Sequence, residues 1–202
     1  MENKQPPEIE IWFDDALKDV YVYFLPIMEK YGLKGIVPVV TDYVGGRFRW
    51  YYRFTRDVKS KKVTSVDYTK YVELQCMSID ELKILIMKGW KIACHTKTHR
   101  LLTKLNCAET EKEFKESKEW IEKNLGVTPE DIVCPWNGIE EWQKELALKY
   151  FKRIVSSDRI YFHGIHLPAP DDWFTLEIFE SRLKSLILSR YGVNIDAGTM
   201  AH

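Results

Sequence analysis

A chain of 202 residues is long enough for one domain with a full hydrophobic core and short for two. Its 30 Lys and Arg offset 30 Asp and Glu, which argues against nucleic acid or an anionic membrane surface as a bulk electrostatic partner. No apolar run reaches membrane-spanning length, and the polar start has no apolar signal stretch, so a soluble, cytoplasmic protein is expected. The four cysteines (Cys76, Cys94, Cys107, Cys134) form no CxxC pair, and reduced, mostly buried thiols are expected.

Along the chain, extended and helical patterns alternate. Glu8–Phe13 reads as a strand, and Asp19–Tyr31 has Val20, Tyr23, Phe24, Ile27, Met28 and Tyr31 at helical spacing, with Pro26 bending or breaking it. Gly32 is a helix stop, and Gly35–Val40 is a second buried strand. The pattern changes from Asp42 to Cys76. There, Phe48–Phe54 and Val63–Tyr68 flank the basic turn Lys59-Ser60-Lys61-Lys62, which predicts a hairpin or long excursion. Arg47, Arg49 and Arg53 alternate there with Trp50, Tyr51 and Tyr52, as in a two-faced hairpin or a surface that grips a polyanion or sugar chain.

Ser78-Ile79-Asp80-Glu81 is a capping box for a helix ending near Lys88 and Gly89. Trp90–Cys94 is the third strand and delivers His95. A charged helix over Glu109–Leu125 follows, then a strand over Asp131–Cys134 cut by Pro135, and a helix over Ile139–Tyr150. Lys152–Ser156 and Arg159–Phe162 read as short strands, and Thr175–Tyr191 as a closing helix. Repeated strand–helix units predict a parallel α/β sheet or barrel, with its site at the carboxyl ends of the strands.

Two segments at such ends carry chemistry. Asp14-Asp15 pairs two carboxylates, and His95-Thr96-Lys97-Thr98-His99 sets two imidazoles four residues apart. One carboxylate and two imidazoles make a three-ligand centre that leaves positions open, the pattern of a catalytic metal site. The second carboxylate is then placed to act as a base. Separately, the Asp pair could cap a helix and the His pair could be ordinary hydrogen-bonded side chains.

Phe13-Asp14-Asp15 resembles the T-F-D-D-G motif of the polysaccharide deacetylase family, also called NodB-homology or carbohydrate esterase family 4. Tyr31-Gly32-Leu33-Lys34, Met77–Leu82, Gly89–Ile92, the H-[ST]-x-x-H motif His95–His99 and Leu102–Leu105 continue the likeness from about Ile9 to Ser156. The resemblance implies a distorted (β/α) barrel, with one catalytic domain over 1–202 that includes the excursion at about 42–76. It also implies a divalent metal, most often zinc, and removal of N-acetyl groups from an amino-sugar glycan. Asp15, His95 and His99 would be the metal ligands and Asp14 the base that takes a proton from the activated water. Pro135 and Trp136 would border the substrate, with a peptide N–H near Trp136 facing the oxyanion.

The sequence departs from the family pattern in three places. Ala16 stands where the family has glycine. Val133-Cys134-Pro135-Trp136 lacks the arginine of R-x-P-[YF]. The general acid of the family's L-x-H motif could be His163, in Tyr161-Phe162-His163, or His166, in Ile165-His166-Leu167. Hydrolysis of a non-sugar amide, or a non-catalytic glycan- or metal-binding protein, are the alternative readings.

Overall fold

The structure is a computed structural model that describes residues 10–51, 53–57, 59, 63–155, 161–162 and 176–191. In chain order the elements are β1 (Trp12–Phe13), a π-helical turn (Val20–Phe24) running into α1 (Leu25–Lys30), and β2 (Ile36–Val39). Then come β3 (Arg47–Tyr51), β4 (Phe54–Arg56), β5 (Val63–Val66) and β6 (Tyr71–Gln75), followed by α2 (Ile79–Met87) and β7 (Lys91–Cys94). The chain continues through α3 (Cys107–Leu125), β8 (Asp131–Val133), α4 (Glu141–Ala147), β9 (Arg153–Val155), β10 (Tyr161–Phe162) and α5 (Leu176–Tyr191). Pro26 sits in the first turn of α1, directly after the π-helical turn, and the backbone stays helical through Phe24 and Leu25, so the expected helix runs on past the proline rather than breaking at it.

Six strands form one all-parallel sheet in the order β10-β1-β2-β7-β8-β9, curled into a half-barrel. The strands are short apolar runs because both faces are covered. One residue from each of β1, β2, β7, β8 and β9 (Trp12, Ile36, Ala93, Val133, Val155) forms a separate inner layer of the curl. Their neighbours Phe13, Val37, Val39, Cys94 and Ile132 join the larger core shared with the helices. At the amino ends of the strands, Arg153 reaches Asp131 at 2.6 and 2.7 Å and Glu10 at 2.9 Å, tying β9 to β8 and to the start of β1. Loops at that end are thereby fixed, and the carboxyl ends are left to function.

The caps account for the helix boundaries. Ser78 and Glu81 make the expected capping box on α2. An unforeseen second box, Asn106 with Glu109, starts α3 at Cys107 rather than at Glu109. Gly126 ends α3 in the left-handed region at φ 73°. Gly35 has a different reason for being glycine, since a Cβ there would stand 2.3 Å from the Trp90 ring and 2.9 Å from Phe13. Gly35→Ala is therefore expected to destabilise the fold by about 1–3 kcal/mol, read as a lower urea midpoint with an unchanged slope.

The 42–76 excursion is a two-tier hairpin. β3 pairs antiparallel with β6, and β4 with β5. Arg47 and Arg49 face solvent while Phe48 between them is buried, so β3 has two faces, with Trp50 on the side of Phe48 and Tyr51 on the side of the arginines. Among the described residues, no helix is long and apolar enough to cross a membrane.

Candidate metal centre

Three loops at the carboxyl ends of β1, β7 and β8 meet above the sheet. The first holds Asp14–Ala16, with Asp15 buried and Asp14 half-buried. Phe13 holds the N-cap position of this turn, and Asp15 leaves helical backbone at φ 70°. The second is the His95–His99 loop, which is not helical. His95 N donates to Val39 O at 3.0 Å and Asp42 N to Lys97 O at 3.0 Å, so the end of β2 holds this loop in line. The third is the 3-10 turn Pro135–Asn137.

The described residues other than glycine that have positive φ are Asp15, Ala16, Thr96, His99, Trp136 and Asn137, all within these three loops. Each such conformation costs on the order of 1–2 kcal/mol, and it persists only where the surroundings over-determine it. At Ala16 (φ 53°) the family's glycine would be relaxed. The Ala16 methyl instead enters the main core, and burying it offsets about 0.8 kcal/mol of the strain. The turn, and with it the direction of Asp15, survives the change.

Asp15 Oδ1 lies 3.3 Å from His95 Nε2 and 3.3 Å from His99 Nε2. Four ligands at about 2.0–2.1 Å around zinc stand about 3.3–3.4 Å apart, so both Asp–His edges already have the spacing of a tetrahedral centre. All three ligand atoms lie within 4.8 Å of one another, and all three residues are buried. His95 Nδ1 donates to Val133 O at 2.7 Å, which directs the Nε2 lone pair toward Asp15. Buried lone pairs that converge in this way need a cation or a proton between them. The donor set, one carboxylate oxygen and two imidazole nitrogens, fits a divalent metal.

Electrostatics divides the two imidazoles. Burial, with His95 adding to it against the pull of Asp15, pushes His99 down to about 3, so it is neutral at ordinary pH. Burial also works against a charge on His95, yet the bond to Asp15 and the charges of Asp14 and Asp15 outweigh it and hold His95 above 6.5. In the metal-free protein the His95 proton therefore stabilises the fold at low pH, and this contribution is lost as pH rises through the raised value. His99 acts oppositely, costing stability as pH falls from 6.5 toward about 3, because the unfolded chain takes up a proton the folded one refuses. One proton, on His95, thus competes with a cation. Zinc affinity is expected to rise about tenfold per pH unit up to the His95 value and then level off, as read by competition with a coloured chelator. A two-proton slope would contradict this assignment.

Glu113, which the sequence reading missed, builds the histidine loop from below. It is a buried carboxylate on α3 that accepts from Lys97 N at 2.9 Å and Thr98 N at 2.8 Å, and from the Thr98 hydroxyl. His99 N in turn donates to Thr96 Oγ1 at 3.2 Å. The available signal was a charge on the buried stripe of α3, which runs Thr110, Glu113, Phe114, Ser117, Ile121, Leu125.

The hairpin covers one side of the centre. The Phe48 ring meets His99 edge-on at 4.9 Å, and Trp136 stands 5.3 Å from His99, 6.0 Å from Trp50 and 5.6 Å from Phe54. Pro135, next to Trp136, is buried. Of the other residues expected at the site, His163 and His166 lie outside the described residues. Cys76, Cys94 and Cys134 are buried thiols pushed up to about 12 by desolvation, so they are protonated at neutral pH in the metal-free protein.

The family model for polysaccharide deacetylases matches residues 2–150, most of the chain. The chain belongs to the polysaccharide deacetylase family. Among solved structures, this family member is similar to the Streptococcus pyogenes deacetylase PplD, solved in complex with acetate. The two share 18% identity at a TM-score of 0.57, over 81% of this chain and 67% of that one. It is also similar to BC0361, a polysaccharide deacetylase from Bacillus cereus, with 19% identity and a TM-score of 0.55, over 87% of this chain and 51% of that one. A third match is the Xyl-CE4 domain of a multidomain xylanase from the hindgut metagenome of Trinervitermes trinervoides, with 15% identity and a TM-score of 0.56, over 91% and 84%. The chain thus spans about two thirds of the first of these proteins and half of the second. No curated protein matches it significantly. Membership places this polysaccharide deacetylase homologue among hydrolases that act on amides.

Proposed function

We propose that this protein is a metal-dependent N-deacetylase of an amino-sugar glycan, acting as one catalytic domain. The observation that carries the proposal is the convergence of Asp15, His95 and His99 at the spacing of a tetrahedral centre. Those three residues would hold the divalent ion, zinc by the preference of their donor set. When bound, such an ion supplies positive charge that acidifies water and polarises an amide carbonyl.

The chain's own groups then divide the remaining work. Asp14, whose charge already acts on His95, takes the proton of the attacking water as its oxygen adds to the acetamide carbon. We assign the oxyanion donor to the Trp136 N–H, because the next two N–H groups are spent on Cys134 O and Pro135 O at 3.1 Å each. The C–N bond breaks as the nitrogen gains a proton, and acetate and a free amine leave. For that proton we favour His163 over His166, since it directly follows Phe162, which pairs with Phe13 just before Asp14.

The test is acetate release from N-acetylated chitooligosaccharides by protein stripped of metal and then resupplied with zinc or cobalt. Release only with metal supports the proposal. Metal binding without release from any acetylated glycan would favour the non-catalytic reading, and release from small non-sugar amides alone would favour the amidase.

A further inference from the structure

Beside the metal centre lies a cleft of about 390 Å³ that opens on His99. Its walls are Phe48, Arg49 and Tyr51 of the hairpin, Tyr43 and Tyr68, and the stretch from Thr98 to Leu105 that carries Arg100 and Lys104. No carboxylate belongs to this lining, although the chain as a whole is electrically neutral. Three cations belong to it, Arg49 from the hairpin and Arg100 and Lys104 from the stretch that follows the histidine loop.

The cations are arranged to be recruited. Arg49 lies over the Tyr71 ring at 4.9 Å and meets Glu73 at 3.6 Å, with both charged side chains about half exposed. Arg100 meets Glu109 at 3.2 Å in a similarly exposed pair. Exposed pairs of this kind contribute little and yield to a better anion. The exposed Lys104 forms no ion pair with the described residues. Tyr68, half exposed and packed edge-on against Tyr51 at 5.0 Å, presents an apolar face at the mouth, suited to the C–H face of a sugar ring.

We propose that this cleft binds an anionic sugar unit, so that the substrate is an N-acylated amino sugar carrying a phosphate or a carboxylate close to the acetamide. This rests on the deacetylase reading and names its substrate class. The aromatic wall would position the ring, and Arg49, Arg100 and Lys104 the negative charge, while the acetamide lies over His99.

The experiment titrates the full-length protein, with metal chelated so that no anion is held by zinc itself, and follows tryptophan fluorescence. The probes are N-acetylglucosamine, N-acetylglucosamine 1-phosphate, and an N-acetylhexosamine–uronate disaccharide. At least one anionic probe is expected to bind about tenfold tighter than the neutral sugar. The preference should shrink at high salt and in Arg100→Gln and Lys104→Gln, with the affinity for N-acetylglucosamine unchanged. Which anionic probe is preferred tells phosphate from carboxylate. Equal binding of all three, or a preference untouched by both substitutions, overturns the proposal. Acetate release from neutral oligosaccharides without such a preference would leave the deacetylase standing and remove the subsite. A preserved preference with no acetate release from any probe would do the reverse.

Discussion

Asp14→Asn is expected to lower kcat for deacetylation by about 10²–10⁴-fold while leaving zinc affinity within a few-fold, whereas Asp15→Asn should lose both. The two residues are adjacent in sequence but differ in place. Asp15 is turned by its positive φ toward both histidines, at 3.3 Å from each, while Asp14 is half-buried and acts on His95 only through its charge. Removing a ligand from a three-ligand centre takes away the charge that makes water reactive. Removing the base leaves that charge and loses only the proton acceptor. Zinc affinity by chelator competition and acetate release together separate the two outcomes. Equal loss of zinc in both variants would show that the carboxylates are not divided in this way.

The second large effect is expected at Glu113. Glu113→Ala leaves the N–H groups of Lys97 and Thr98 without their acceptor, at about 1–3 kcal/mol each, and frees the loop between the two histidines. A loss of about 2–5 kcal/mol in stability and 10- to 100-fold in zinc affinity is expected, from denaturant unfolding and chelator competition. Glu113→Gln keeps an oxygen facing the two N–H groups and should restore most of both. An alanine variant that loses stability but binds zinc normally would reduce Glu113 to a packing role.

The readable half of the site was the half made of short contiguous segments. Asp14-Asp15 and His95–His99 each follow an apolar strand, so their position together at the strand ends could be read from the sequence. The parallel sheet was readable for the same reason: β2 and β7 are short apolar runs, each following a helix that ends at a glycine, Gly32 and Gly89. Harder to read were features that depend on long-range packing. Glu113 resembles any other charge of a helix rich in Lys and Glu until the fold brings it beneath the histidine loop. The left-handed backbone at Asp15, Thr96 and His99 has no glycine to announce it. The hairpin was foreseen, but its alternation could not say that Phe48 would meet His99 or that Trp50 and Phe54 would close on Trp136.

The missing arginine of the third motif illustrates the same limit. Val133 stands at its place and faces the inner layer of the sheet, yet its carbonyl still orients His95. The backbone of β8 thus helps to build the candidate metal centre whatever side chain it carries, which explains how the Asp15–His95–His99 arrangement forms without the arginine.

The most direct test is a crystal structure of the protein grown with zinc, with anomalous scattering recorded at the zinc edge. A single buried peak about 2.0–2.2 Å from an Asp15 carboxylate oxygen, His95 Nε2 and His99 Nε2 is expected, with Asp14 beside it rather than bound to it. A peak elsewhere, or none in crystals whose protein is otherwise folded as described, would contradict the account.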